Sequence, residues 1–245
     1  MRPSINEYLR VLALAVPIAA ALGPRSAFAE QERSGFTIGV FGASATSPFD
    51  SEAVENSFLP NFEYSRDRLS IGVSGVSYDV FDTERVVLSA RLAPRYFSDP
   101  GDVAGLGHLK RDTAAEAGVA GTLRFGPVLT GIEILTDISG IHKGTAIAAT
   151  VGTAFSPRPR LGIAVQAGAT WMDSNLATYS FGIRPDEATT RLADYEVKDA
   201  MVPSLGIQSS YALADRVSLV GGVSVDFLPD RVTDSPIIQR DVLTS

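Results

Sequence analysis

The chain contains no cysteine and only two histidines, His108 and His142. The first absence excludes disulfides, thiolate metal sites and a cysteine nucleophile. The second excludes a histidine-rich metal centre. Positive charge is also short, with 28 Asp+Glu against 21 Lys+Arg and a net charge of -7. That balance argues against nucleic acid as a partner. Beyond residue 29 there is no run of 18 apolar residues, so no helical membrane span is expected. What is present is hydrophobicity. At 45% it excludes disorder, and 245 residues allow one or two domains with a sizeable core.

The beginning of the chain reads as an export leader. Arg2 and Arg10 precede an apolar run from Val11 to Leu22, which Gly23 and Pro24 break. Ala27-Phe28-Ala29 then supplies an A-x-A cleavage site. We expect a cleaved signal peptide over residues 1–29 and a single exported domain over 30–245. An uncleaved anchor is the alternative, but the run is short for a span. The exported part is more acidic than the whole, because Arg2, Arg10 and Arg25 leave with only Glu7.

The remaining sequence alternates with a period of two. In Arg160 to Met172, Leu161, Ile163, Val165, Ala167, Ala169 and Trp171 form one face. Gly162, Ala164, Gln166, Gly168 and Thr170 form the other. Similar patterns run through Glu84 to Pro94, Ala115 to Phe125, Thr145 to Phe155 and Arg216 to Leu228. Less regular strands are expected at Phe36 to Ser44, Phe58 to Ser65, Leu69 to Val80, Val128 to Ile138 and Val202 to Leu213. In Leu69 to Val80 the apolar phase slips near Gly75, which suggests a bulge. The strands are long, with the length that a tilted membrane strand needs. Aromatics sit near their ends: Tyr64, Phe81, Tyr96, Phe125, Phe155, Trp171, Tyr211 and Phe227. A soluble β-sandwich or lipocalin-like barrel would also alternate, but would bulk its inner face with large apolar side chains. Here the second face is Gly, Ala, Ser and Thr with charges in mid-strand. The expected fold is therefore an all-β, antiparallel transmembrane barrel of roughly 10–12 strands, apolar outside and polar inside.

The connections divide into short and long. Short ones are Phe81 to Glu84, Phe125 to Pro127, Ser156 to Arg160 and Ala212 to Asp215. Long ones are Tyr96 to Asp112, Ser139 to Lys143, Asp173 to Asp199 and Pro229 to Arg240. Their alternation fits periplasmic turns and outer loops. A helical turn is expected at Asp186 to Leu192, after Pro185. Near the start the parity does not close: either Phe58 to Ser65 is not a full strand or residues 45–57 hide one. At the other end a closing strand with a terminal aromatic is expected and is apparently missing.

No residue pattern points to catalysis. Asp137, Ser139 and His142 are near one another in sequence, but they fall on a strand end and a tight turn, a poor frame for a triad. The acidic loops contain no EF-hand spacing, and Gly101, Gly105 and Gly107 lack the context of a nucleotide loop. No cofactor and no metal are expected. The more informative charges are those expected to face the lumen: Arg85, Arg91, Glu116, Arg124, Glu133 and Asp137. They can pair and plug a narrow lumen, or line a small pore.

Several segments together resemble the MipA/OmpV family of outer-membrane proteins. They are Pro60-Asn61-Phe62-Glu63-Tyr64, then Asp137-Ile138-Ser139-Gly140 with His142-Lys143-Gly144. Next comes Thr178 to Ile183, containing Tyr179, Phe181 and Gly182 and leading into Pro185-Asp186-Glu187-Ala188. Last is Asp230 to Ile238, with Asp234-Ser235-Pro236 at its centre. The resemblance implies an outer-membrane barrel without catalytic activity. It also implies a scaffold that links a lytic transglycosylase and a penicillin-binding protein, the enzymes of murein remodelling, to the outer membrane. Outer-membrane lipid and lipopolysaccharide would surround it. A narrow permeability channel and a surface adhesin are the alternative functions.

Overall fold

A computed structural model describes residues 35–50 and 54–245 of the protein; the expected signal peptide lies outside the described residues. Among the described residues, twelve strands form one sheet in strict chain order, each antiparallel to the next. They are β1 (Gly35–Thr46), β2 (Val54–Arg66), β3 (Leu69–Gly72), β4 (Gly75–Asp82), β5 (Val86–Arg95) and β6 (Ala114–Phe125). Then follow β7 (Val128–Asp137), β8 (Thr145–Arg158), β9 (Leu161–Met172), β10 (Ala200–Ala214), β11 (Val217–Phe227) and β12 (Val242–Thr244). Among the described residues, no helix is long and apolar enough to cross a membrane. The sheet's two edges meet at one end, where the Thr244 N–H donates to the Thr46 hydroxyl over 2.9 Å. No ladder joins β12 to β1 among the described residues.

Alternation sets the two faces. On β10 the outward Met201, Leu205 and Ile207 are each more than half exposed, while the inward Val202 and Ser204 are buried. Val119 and Leu123 on β6, Ile132 and Ile134 on β7, and Leu219 and Val223 on β11 face outward in the same way. So wide an apolar exterior is stable only against hydrocarbon. The inner face is small because long side chains must share a narrow space. Gly162, Ala164, Gln166 and Gly168 line it on β9, as the sequence pattern predicts.

Some sequence expectations change. Leu69 to Val80 is not one bulged strand but the β3–β4 hairpin, with Gly72 opposite Gly75. Gly75 has φ +108, and an added Cβ would collide with the Leu92 carbonyl oxygen of β5. That tight turn breaks the apolar phase; the register shift itself lies further on, between Asp79 and Phe81. The hairpin also closes the parity, since β2 extends back to Val54 and β5 now runs toward the long loops. The helix of the longest loop is α1 (Ser174–Phe181), while Pro185–Glu187 forms only a single 3₁₀ turn. Asp173 is the better helix start, because its carboxylate caps the Leu176 N–H at 2.9 Å. Val242–Thr244 pairs with β11 as the three-residue strand β12, and the sheet remains open between β12 and β1 among the described residues, in keeping with the expected missing closing strand.

Candidate functional site

The buried side chains gather at the loop end. Asp173 also accepts the Thr145 N–H at 2.8 Å, which ties α1 to the top of β8. Leu176, Ala177, Tyr179 and Phe181 of α1 then pack with Phe97, Met172, Val197, Val202, Leu228 and Leu243. A second cluster joins Phe49, Leu109, Ile183 and Ile237, drawn from four different loops. Both clusters form a lid across the loop end, held by apolar burial as in a soluble protein. The short helix α2 (Asp230–Thr233) contributes Val232 to it.

Polar contacts fix the lid. The Arg111 guanidinium donates to Glu187 Oε1 at 2.6 Å and to Oε2 at 3.3 Å, and also to the Gly182 carbonyl at 2.9 Å. Its side chain is fully buried. Glu187 also accepts from the Arg184 backbone N–H at 2.9 Å and from the Arg184 guanidinium at 2.8 Å. Burial pushes the Glu187 carboxyl up, but the hydrogen bonds from Arg184 and the charge of Arg111 outweigh it and hold it below its ordinary value. Hydrogen bonding to Glu187 raises Arg184 in return. Both cations lie over the Tyr179 ring, with the Arg111 and Arg184 guanidinium carbons 5.2 and 5.1 Å from its centre. Its hydroxyl accepts the Asp112 N–H at 2.7 Å. Burial raises its pKa.

The residues expected to face the lumen separate into four groups. Arg91 and Glu133 pair at 3.0 Å across β6, where Gly118 and Ala120 leave room above the sheet. Glu116 is buried and bonds Arg95 at 2.6 Å. His142 lies beside them, with Nε2 3.2 Å from Glu116 Oε1. Its Nδ1 accepts the Gly144 N–H, so a neutral ring carries its proton toward Glu116. Asp137, at the upper end of β7, is a loop tie. It accepts the N–H groups of Ser139, Gly140, His142 and Lys143 and the Ser139 hydroxyl. Arg85 and Arg124 are exposed at the opposite, short-turn end.

Of the family-motif segments, Pro60 to Tyr64 lies on β2, whereas Tyr179, Phe181, Gly182, Asp234, Ser235 and Pro236 belong to the lid. Tyr179 and Phe181 are its aromatic anchors. Gly182 ends α1 where a Cβ would stand 2.5 Å from the Tyr195 carbonyl oxygen. Asp234 ends α2, while Ser235 is buried and Pro236 leads into the buried Ile237. Sequence reading missed Arg111, Arg95 and the Arg111–Glu187 pair. Residues 76 positions apart leave no spacing signal for such a pair.

Fold, girdle and polar inner wall define an outer-membrane β-barrel protein. Residues 38–245 match the family described as MltA-interacting protein MipA, and the chain belongs to that family. It is 26% identical to the MltA-interacting protein of Escherichia coli K12, over 95% of this chain and 93% of that one. It is also 26% identical to the putative outer membrane protein YiaT of the same strain, over 85% and 86%. Outer membrane protein Omp26La of Vibrio anguillarum is 23% identical over 82% and 79%.

Proposed function

We propose that the protein is a non-enzymatic scaffold that holds a lytic transglycosylase, and through it a penicillin-binding protein, at the periplasmic face of the outer membrane. The observation that carries this reading is the end-to-end likeness to a protein named for its interaction with MltA. The geometry supports it in a second way. Arg91 and Arg95 are paired inside with Glu133 and Glu116, and the short turns present an exposed polar face. Those turns, such as Ser156 to Arg160 and Ala212 to Asp215, are where the enzyme docks.

The test is capture of a purified lytic transglycosylase of the MltA type by the folded barrel in neutral detergent. Retention is expected, and it is lost when Ser156 to Arg160 is replaced by a Gly-Ser turn of equal length. Absence of retention by the unaltered barrel overturns the reading. In planar bilayers the same protein stays silent; steady conductance would favour the permeability alternative.

A further inference from the structure

Every turn at the end opposite the lid carries or adjoins arginine. Arg66 and Arg68 flank the β2–β3 turn, and Arg85 ends the β4–β5 turn. Arg124 precedes the β6–β7 turn, Arg158 and Arg160 lie at β8–β9, and Arg216 lies at β10–β11. All are exposed. The three lysines beyond residue 100, Lys110, Lys143 and Lys198, sit at the other end, and acids at the turns are fewer: Asp67, Asp82, Glu84 and Asp215. Among the described residues, Arg85, Arg124, Arg158, Arg160 and Arg216 form no ion pair. Arg66 lies 3.9 Å from Asp67, with both side chains mostly exposed.

A second feature gives this ring its depth. Phe36, Tyr64, Phe81, Phe125, Phe155 and Tyr211 are exposed on the outer face at the turn end of their strands. Such a girdle marks the level of lipid headgroups. Tyr64 is followed closely by Arg66, Phe81 by Arg85 and Phe155 by Arg158, while Arg124 adjoins Phe125. The guanidinium groups that follow the girdle, those of Arg66, Arg85 and Arg158, therefore stand just beyond it, at the depth of lipid phosphates, while Arg124 lies on the inner face of β6 opposite Leu129. They are also distributed over all five turns. A docked protein would need charge on one side of the rim, whereas a leaflet surrounds it. Guanidinium matches phosphate with two parallel hydrogen bonds, which an ammonium does not.

The geometry points to a binding ring for the phosphate headgroups of anionic phospholipids in the periplasmic leaflet. This stands independently of the murein reading, since lipid binding needs no enzyme partner. The ring orients the barrel and holds the leaflet against its turns.

The experiment uses the folded full-length protein, delipidated in non-ionic detergent, titrated with phosphatidylglycerol or phosphatidylcholine. The readout is the midpoint of heat-modifiable gel migration, with native mass spectrometry to count retained lipids. Phosphatidylglycerol is expected to bind more tightly and to raise the midpoint more. Each of Arg85→Gln, Arg158→Gln and Arg216→Gln is expected to weaken that preference about fivefold. Lys110→Gln at the loop end leaves it unchanged. Equal effects of the two lipids, or a preference that survives the triple variant, overturn the proposal. So does an equal shift from inorganic phosphate, which would mark a free-anion site. If the same substitutions abolish transglycosylase capture in neutral detergent and leave the lipid preference intact, the ring serves the protein partner and the lipid proposal falls. Because the variants change exposed turn residues, an unshifted midpoint in detergent alone verifies folding.

Discussion

The two ends of the barrel use the same residue type in opposite ways. At the loop end Arg95, Arg111 and Arg184 are held by carboxylates, and Arg111 is wholly withdrawn from solvent. At the turn end the arginines are exposed, and five of them form no ion pair among the described residues. Desolvation explains the first pattern, because a buried guanidinium without a partner would cost several kcal/mol. Nothing in the folded chain requires the second. The lid's charges serve its structure, and the rim's charges are directed at something outside the protein.

The largest effect should come from separating the ends at Arg111. Arg111→Ala leaves the buried Glu187 with Arg184 alone and removes the bond to the Gly182 carbonyl. The loss to the lid is about 3–5 kcal/mol. Limited proteolysis between residues 185 and 199 is expected to accelerate, while the fast-migrating folded band persists. Loss of that band together with the lid would show that the two ends are one cooperative unit. A paired Arg111→Met, Glu187→Leu variant restores protection, because no charge is then left buried without a partner.

Acid should open the lid more gently and with a fixed sign. Glu187 is held below its ordinary value of 4.5 in the folded lid. Its contribution is therefore fully present above about pH 4.5 and is lost as pH falls through the lowered folded value. Loop protection from protease or hydrogen exchange is expected to be flat from neutral pH to about 5 and to decline below that. A Glu187→Gln variant loses the acid-dependent part. A decline that begins well above pH 5 would overturn the assignment to Glu187.

Strand identity was largely legible in the sequence, and lid architecture was not. Alternation such as Leu161 to Trp171 against Gly162 to Thr170 is a local signal, and membrane strands keep it over ten residues or more. The β3–β4 hairpin was hidden because its turn is only Val73-Ser74, with Gly75 as its single marker. In the lid, Phe49, Leu109, Ile183 and Ile237 come from four loops with no shared period. Arg91 and Glu133 were marked as lumen charges, but Asp137 was indistinguishable from them in sequence. Its five loop contacts depend on the turn that follows it.

The smallest expected effect is at Arg160, and its sign sharpens the contrast between the ends. Arg160 has φ +70, in the left-handed region where a side chain carrying Cβ costs about 1–2 kcal/mol relative to glycine. Its guanidinium is exposed and forms no ion pair among the described residues. Arg160→Gly should relieve the backbone while losing no internal contact of the side chain, with the gain reduced by the greater freedom of glycine in the unfolded chain. The folded band's midpoint in neutral detergent is expected to hold steady or to rise by up to about 1 kcal/mol equivalent. In a bilayer containing phosphatidylglycerol the order reverses, and the arginine form is the more stable. A fall in neutral detergent would mean that Arg160 supports the turn itself. The turn end would then be built like the lid, from internal contacts. An arginine that strains its own backbone and stabilises the barrel only beside anionic lipid is instead what a surface shaped by the leaflet requires.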